Sequence, residues 1–145
     1  MTEEARRWIR IAAPPEHCYE VAADFARYPE WAGDIKRVEV LERDHEGRGV
    51  RVRFRAAAMG QSVGYTLVYD HREAPRVLSW VQVAGDMTRQ LDGSYTFEPA
   101  PDGGTDLTYQ LTVELKVPLI RFIKRRAEAR ILGTALRDLK SRAES

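Results

Sequence analysis

The sequence predicts an α+β fold in which a curved antiparallel sheet of seven strands wraps around one long C-terminal helix. Period-two alternation runs from Ile35 to Leu115, a helical apolar stripe follows it, and two short helical segments precede it. A single amphipathic helix hides its apolar stripe only against a sheet that curves around it, and that arrangement leaves an apolar hollow. The 145 residues are expected to form one ligand-binding domain over 1–145.

The first elements are a short strand and a short helix. Alternation from Trp8 to Ala12 predicts the strand, and Pro14-Pro15 ends it. A helix is expected over about 15–23, because proline suits the first helical turn and Glu16 adds favourable charge near the amino end.

One face of this helix should pack into the core, and a second short element should follow the helix. The helical period places Cys18, Val21 and Ala22 inward. Pro29 interrupts any longer helix, so a second, short, aromatic element is expected to end at Trp31.

Six further strands are predicted as a consecutive antiparallel meander. Alternation of apolar and polar residues fixes their faces, and turn residues divide them. The run Val77–Val83 is apolar on both faces, which predicts a strand covered on both sides. The dividing turns are Gly47–Gly49, Met59–Gln61, Ala74–Arg76, Gly85–Asp86 and Pro101–Gly104.

The last element is the long helix, which Pro118 is expected to open. Its apolar residues recur at helical spacing and should face the sheet. The predicted stripe is Ile120, Ile123, Ala127, Ile131, Ala135 and Leu139, widened by Leu119, Phe122, Leu132 and Leu136.

Composition excludes several classes of function. Lys and Arg number 23 against 22 Asp and Glu, so the chain lacks the positive field that nucleic-acid binding exploits. The single Cys18 excludes an internal disulfide and a multi-cysteine zinc site. The first residues lack the features of a signal peptide, and no apolar run is long enough to span a membrane, so a cytoplasmic location is expected.

The order of these elements resembles the START-like superfamily, also called the helix-grip or SRPBCC fold. The resemblance covers nearly the whole chain and is closest to the bacterial polyketide cyclase/dehydrase and lipid-transport family. Its most telling segments are 11–16, with Val21, and 25–31. It implies a cavity between the sheet and the C-terminal helix, with an entrance among the loops. Since the superfamily includes cyclases, lipid carriers, quinone-binding proteins, hormone receptors and stress-response activators, it does not select an activity.

Two short motifs imitate catalytic sites. Gly60–Gly64 has the G-x-S-x-G form, but a serine nucleophile needs a strand-to-helix turn, and Ser62 is expected to begin a strand far from His71. His71-Arg72-Glu73 imitates a zinc-deaminase motif without the cysteines that complete it. Exposed or capping histidines are therefore the expectation, with no metal site and no cofactor.

The candidate ligand-binding residues are mostly aromatic and are placed by period on the concave face or its rim. Several are tyrosines, and a buried phenol needs a hydrogen-bond partner that a ligand or trapped water supplies. The candidates are Tyr28, Trp31, Phe54, Tyr65, Leu67, Trp80, Tyr95, Phe97, Tyr109, Leu111, Ile120, Ile123 and Ala127.

Three functions stay open at this point. The first is a carrier for a small hydrophobic molecule such as a lipid, an isoprenoid quinone or a polyketide-like aromatic. The second is a cyclase, aromatase or dehydratase acting on a poly-β-ketone, for which Tyr65, Gln82, Arg89 and Tyr109 are the candidate acid/base groups. The third is a regulator that binds a protein partner.

A basic surface is the remaining sequence feature. Arg51, Arg53 and Arg55 share one strand face, and the final helix is rich in arginine. The two expectations are a patch for an anionic membrane or an acyl carrier protein, and a solvated face neutralised by nearby carboxylates. The protein is expected to be a monomer or a homodimer.

Overall fold

The computed structural model describes residues 4–58, 60–117 and 119–145. The predicted α+β architecture is confirmed, with seven antiparallel strands, two short helices between the first two strands, and one long C-terminal helix. The elements are β1 Glu4–Ile11, α1 Pro15–Ala23, a 3₁₀ turn Phe25–Arg27, α2 Tyr28–Trp31, β2 Ile35–Arg43, β3 Gly49–Ala58, β4 Gln61–Asp70, β5 Val77–Gly85, β6 Thr88–Pro99, β7 Thr105–Leu115 and α3 Arg121–Glu144.

The strands form one sheet in the order β1-β7-β6-β5-β4-β3-β2. Strands β2 to β7 are the predicted meander, and β1 pairs with β7, so that the first and last strands are neighbours. Gly47 and Gly103 have φ of +86° and +88° in their turns, a conformation that glycine adopts without strain.

The period-two alternation places apolar and aromatic side chains on the concave face. Residues directly opposite each other on neighbouring strands share a face, and Tyr95 lies opposite Tyr109 in the register of β6 and β7. Helix α3 packs on this side against β1, β7, α1 and α2. The face on which the helix packs is therefore lined mainly by aromatic rings.

The buried stripe of α3 agrees with the predicted one at Leu132, Leu136 and Leu139 and departs from it at Ile120 and Ile131. Leu132, Leu136 and Leu139 are 3%, 2% and 0% exposed, whereas Ile120 and Ile131 are 63% and 41% exposed. Both rows are apolar, so periodicity alone could not choose between them. The leucine row rests on the sheet, and the isoleucine row faces the α2 side.

A hydrogen bond fixes this orientation of the helix. Asp138 lies two turns after Ile131 on the same side of α3, and its Oδ2 accepts a hydrogen bond from the Gly33 amide at 3.2 Å. Gly33 follows α2 in the chain, so this side of α3 borders the corner between α2 and β2.

The expectation that strand β5 is covered on both faces is wrong. Val81 and Val83 are 50% and 49% exposed, while the neighbouring Trp80 is 6% exposed. Because the helices pack on the concave side or at the sheet ends, the convex side of β5 is left to solvent in the part of the chain that the structure describes.

Three sequence predictions fall outside the described residues. Met59 was expected in the turn between β3 and β4, Pro118 was expected to open α3, and Phe122 was expected to widen its stripe through a side chain that is not described. The residue before the first helical residue of α3 is Ile120.

Candidate functional site

A continuous set of aromatic rings covers the concave face from β3 to β7. Neighbouring rings lie within contact distance of one another, mostly in edge-on or tilted geometries that favour aromatic attraction. The centroid distances are 5.4 Å for Phe54 and Tyr65, 6.5 Å for Phe54 and Tyr69, 5.7 Å for Tyr69 and Trp80, 5.2 Å for Trp80 and Tyr95, and 4.7 Å for Tyr95 and Tyr109.

Five tyrosines of this region form what we call the phenol cluster: Tyr28, Tyr65, Tyr69, Tyr95 and Tyr109. The Tyr28 hydroxyl donates a hydrogen bond to the Ala22 carbonyl. The other four hydroxyls have no hydrogen-bond partner among the described residues, yet none of the four oxygens is completely sealed from a water-sized probe. These four oxygens therefore keep at least a small contact with solvent in the ligand-free protein.

Burial changes the acidity of all five hydroxyls. Loss of solvation raises the pKa of Tyr28 and Tyr65 above the usual value of 10, and it raises those of Tyr69, Tyr95 and Tyr109 well above it. Repulsion between the cluster members adds to the effect. All five phenols are consequently neutral at physiological pH and retain a proton to donate.

The α2 turn forms part of the rim of the site. The Trp31 ring lies 4.8 Å from the Tyr28 ring, which itself lies 5.9 Å from Phe54. The predicted binding residue Trp31 is thus placed beside the phenol cluster. Of the predicted binding residues around the start of α3, Ile123 and Ala127 are half-buried and Ile120 is 63% exposed.

Three other predicted binding residues belong to the closely packed wall. Leu67, Phe97 and Leu111 are 4%, 1% and 1% exposed. Phe97 packs edge-on against the buried Tyr19 ring at 5.5 Å. All three lie on the same face as the cluster, and Phe97 lies on its α1 side.

The candidate acid/base groups separate into two sets. Tyr65 and Tyr109 belong to the phenol cluster. The Gln82 amide is engaged with Thr88, since its Nε2 donates to the Thr88 carbonyl at 2.9 Å and its Oε1 accepts from the Thr88 hydroxyl. Arg89 is exposed near the start of β6. The structure brings only the two tyrosines together.

Tyr69 is the site residue that the sequence reasoning missed. It lies four residues after Tyr65 on β4 and is 7% exposed. The signal was present, because period two places residues 65, 67 and 69 on one face. Its ring stands between Phe54 and Trp80 and connects the two halves of the aromatic set.

A second kind of tyrosine lies outside the cluster. The Tyr19 hydroxyl lies 2.6 Å from His71 Nδ1, and His71 Nε2 lies 2.7 Å from the Gly49 carbonyl. A carbonyl only accepts, so Nε2 carries the proton and Nδ1 accepts from Tyr19. Burial raises the pKa of Tyr19 to about 12.

The expectation of an exposed or capping histidine is therefore wrong for His71. It is half-buried and joins two elements, α1 and the start of β3. His17 and His45 are not drawn into comparable contacts with a tyrosine.

The serine motif lies on a strand, as its context predicted. Ser62 is the second residue of β4, and its Oγ accepts a hydrogen bond from Arg55 at 3.1 Å. A β-strand lacks the sharp turn that raises a serine nucleophile.

Comparisons with solved structures agree on the fold. A START superfamily protein from Mycobacterium smegmatis is 23% identical, with a TM-score of 0.91 over 97% of both chains. The Zhui aromatase/cyclase from Streptomyces sp. R1128 is 18% identical, with a TM-score of 0.87 over 99% of this chain and 94% of that one. A protein from Thermus thermophilus is 26% identical, with a TM-score of 0.83 over 97% of both chains.

The sequence was also compared with curated proteins and with protein-family models. No curated protein matches the sequence. None of the helices in the described ranges has the length and hydrophobicity needed to cross a bilayer. The family model for polyketide cyclase/dehydrase and lipid transport matches residues 11–140. This match shows that the chain belongs to the polyketide cyclase/dehydrase and lipid-transport family.

Proposed function

We propose that residues 1–145 form one domain that binds and carries a small hydrophobic molecule bearing carbonyl groups, between the sheet and α3. A polyketide-like aromatic or an isoprenoid quinone has this chemistry. The observation that supports the proposal is the phenol cluster, in which four desolvated hydroxyls have no partner among the described residues.

The energetic argument concerns the unpaired hydroxyls. A buried polar group without a partner costs about 1–3 kcal/mol. The four cluster oxygens are not fully enclosed, so this cost is avoided only while water or a ligand reaches them. A polar partner from a ligand or from trapped water removes this cost, and the apolar rings around it favour a largely apolar ligand.

The chemistry of the cluster selects among the possible ligands. Because burial raises the phenol pKa values, the hydroxyls stay protonated and donate to neutral carbonyl or hydroxyl oxygens. No member of the cluster is charged, so an ionised carboxylate or phosphate placed there would lack compensation. This argument favours quinones and polyketide-like aromatics over lipids whose charged head group would enter the site.

Binding of the neutral quinone menadione tests the proposal. Trp80 contacts Tyr69, Tyr95 and Tyr109, so a quinone bound there quenches its fluorescence. The Trp8→Phe protein is used as the parent, because Trp8 is 62% exposed and adds background emission. We expect saturable quenching. A linear, non-saturating response to menadione would refute the carrier proposal.

Hydroxyl removal tests the role of the cluster. In the same parent, Tyr69→Phe with Tyr109→Phe is expected to weaken menadione binding about 5- to 100-fold, since a neutral hydrogen bond contributes about 0.5–1.5 kcal/mol. Tyr19→Phe is the matched control, because Tyr19 is buried but its hydroxyl is bonded to His71. Equal affinities in all three proteins would mean that the hydroxyls do not contact the ligand.

An enzymatic function is the second candidate, and the presence of Tyr65 and Tyr109 together in the cluster favours it. Phenols with raised pKa values stabilise an enolate by hydrogen bonding but are poor bases. A cyclase or dehydratase would convert a poly-β-ketone, and Tyr65→Phe or Tyr109→Phe would abolish turnover while leaving binding measurable. If the unmodified protein forms no product from a poly-β-ketone, ligand transport remains the proposed function.

The cellular location and the oligomeric state of the protein complete the proposal. Cys18 is buried beside the Thr105 hydroxyl, and a single free thiol suits a reducing compartment, so we propose a cytoplasmic protein. It is proposed to act as a monomer or a homodimer. A ligand of low solubility must also be collected and delivered, at a membrane or at an acyl carrier protein.

A further inference from the structure

Three exposed apolar residues lie in two neighbouring segments at the end of the sheet where α3 begins. Met87 lies in the turn between β5 and β6, and Val117 and Ile120 lie between β7 and α3; they are 40%, 60% and 63% exposed. The Lys116 amide donates to the Met87 carbonyl at 2.9 Å, so the two segments are adjacent. We call Met87, Val117 and Ile120 the apolar tip.

Positive charge surrounds the apolar tip. Lys116 and Arg89 flank it in sequence, are exposed, and have no acidic partner among the described residues. The stretch 116–130 contains six Lys or Arg residues and one acidic residue, Glu128. The nearby Asp86 is turned towards the sheet, where it accepts from the Gly64 amide at 2.8 Å and lies 3.6 Å from Arg55.

The other basic surface of the molecule gives a useful contrast. Each of the three arginines of β3 lies beside a carboxylate, which supports the neutralised alternative for that face. The pairs are Arg51 with Glu42 at 3.3 Å, Arg53 with Glu39 at 2.7 Å and Arg55 with Asp86 at 3.6 Å. Near the tip, Lys124 and Arg130 also lie beside carboxylates, at 3.8 Å from Glu128 and 3.6 Å from Asp34. Lys116 and Arg89 differ from all of these cations in having no acidic partner among the described residues, so the apolar tip carries positive charge that is less neutralised than that of the strand face.

The shape of the tip distinguishes between its two possible partners. A helix of an acidic carrier protein binds best in an apolar groove. The tip instead consists of side chains that project from a turn and from the segment before a helix. Projecting apolar side chains with lysine and arginine beside them match the boundary between head groups and acyl chains of an anionic bilayer.

We propose that the apolar tip docks on an anionic lipid surface, with Met87, Val117 and Ile120 at the acyl boundary and the basic side chains at the phosphates. The inference rests on the proposed carrier function in one respect. Ile123, a candidate ligand-binding residue, lies in the first turn of α3, so docking brings that part of the proposed ligand site to the bilayer. A hydrophobic ligand then enters or leaves without crossing water.

Vesicle sedimentation tests the docking. The full chain is expected to bind vesicles of equal parts phosphatidylglycerol and phosphatidylcholine at low salt, and to bind pure phosphatidylcholine at least tenfold less. Val117→Ser with Ile120→Ser is expected to weaken binding tenfold or more. Lys116→Gln is expected to weaken it about fivefold, the effect of one basic residue near the surface.

Two matched variants control for nonspecific effects. Val81→Ser with Val83→Ser removes similarly exposed apolar groups from the convex face, and Arg53→Gln removes a positive charge from β3. Both should retain the binding of the unmodified protein. Equal losses in the tip and control variants, or no binding to anionic vesicles at low salt, would overturn the proposal.

A further comparison separates this inference from the carrier function. Menadione binding without vesicles should be the same in the Val117→Ser, Ile120→Ser protein and in the unmodified protein, so a loss of vesicle binding alone concerns docking. Binding of an acidic acyl carrier protein that depends on the tip, with no vesicle binding, would assign the tip to a protein partner and overturn the lipid proposal.

Discussion

The two ends of the concave face use the same residue types in different ways. At the end covered by α1 and the second half of α3, Tyr19, Phe97 and Leu139 are 1%, 1% and 0% exposed, and the Tyr19 hydroxyl is bonded to His71. At the other end of the face, Tyr65 and Tyr95 are half-buried and their hydroxyls have no partner among the described residues.

This difference separates stability from function within one sheet. Close packing and paired polar groups at the first end, which we call the closed end, supply the free energy of folding. Unpaired phenols and a partly exposed helix face at the second end, the open end, supply contacts that only a ligand completes. Substitutions at the two ends should therefore have opposite effects on stability and binding.

The largest effect on stability is expected from truncation at the closed end. Leu139→Ala removes a side chain that is 0% exposed and should lower the free energy of unfolding by about 2–5 kcal/mol. Ile123→Ala, at the half-buried rim of the open end, should change it by less than about 1 kcal/mol and should weaken menadione binding. Urea unfolding and fluorescence quenching measure the two effects. Similar stability losses in both variants would contradict the distinction.

Substitution of a glycine of β6 is expected to give the next largest loss of stability. A Cβ at Gly93 would lie 2.6 Å from the Gln110 carbonyl and 2.7 Å from Trp80 Cζ2. Gly93→Ala should therefore lower stability by about 1–3 kcal/mol and displace the indole within the site. Urea unfolding and the Trp80 emission maximum measure these changes.

Gly133→Ala in α3 is the control for Gly93→Ala. Its new Cβ would meet only the Arg7 side chain, at 2.9 Å from Nη1, and a long side chain moves easily. Because alanine is the better helix former, we expect stability to be unchanged or raised by up to about 1 kcal/mol. A destabilisation as large as that of Gly93→Ala would show that the β6 effect is not specific to its close contacts.

The two kinds of tyrosine can be compared directly. Tyr19→Phe leaves His71 Nδ1 without its donor and should destabilise the protein by about 1–2 kcal/mol. Tyr109→Phe removes a hydroxyl without a partner among the described residues and should leave the ligand-free protein as stable or slightly more stable. Thermal unfolding without ligand measures both. A loss at Tyr109 as large as at Tyr19 would contradict the assignment of an unpaired phenol.

Alkaline pH is expected to cause the smallest and most gradual loss of folding stability. Burial raises the folded-state pKa of the cluster phenols above their unfolded value of about 10. The folded state therefore binds more protons than the unfolded state above about pH 10, and stability should fall as pH rises through that range. The Tyr69→Phe, Tyr109→Phe protein should lose less stability between about pH 9 and 11. Identical pH profiles would contradict the raised pKa values.

Much of the fold was predictable from sequence, because alternation and turn residues define the meander at every strand. The choice of helix face was not predictable, since α3 carries two apolar rows and only contact with β1 and β7 decides between them. Exposure of Val81 and Val83 was missed for a similar reason. Apolar residues on a strand face indicate burial on average, but Val81 and Val83 on the convex side of β5 are exposed to solvent.

The sequence predicted which residues form the candidate site better than it predicted the hydrogen bonding of their hydroxyl groups. Period two placed Tyr65, Trp80, Tyr95 and Tyr109 together on the concave face and could have added Tyr69. Which hydroxyls lack partners depends on distances between elements that are far apart in sequence. The pairing of Tyr19 with His71, across 52 residues, is the example that no local pattern predicts.

The most direct test of the central claim is the infrared spectrum of bound menadione labelled with ¹³C at its carbonyl groups. If the cluster phenols donate hydrogen bonds to the ligand, the carbonyl stretch should lie at lower frequency in the protein than in a hydrocarbon solvent. It should return towards the hydrocarbon value in the Tyr69→Phe, Tyr109→Phe protein and stay low in Tyr19→Phe. A stretch at the hydrocarbon frequency in the unmodified protein would contradict the account.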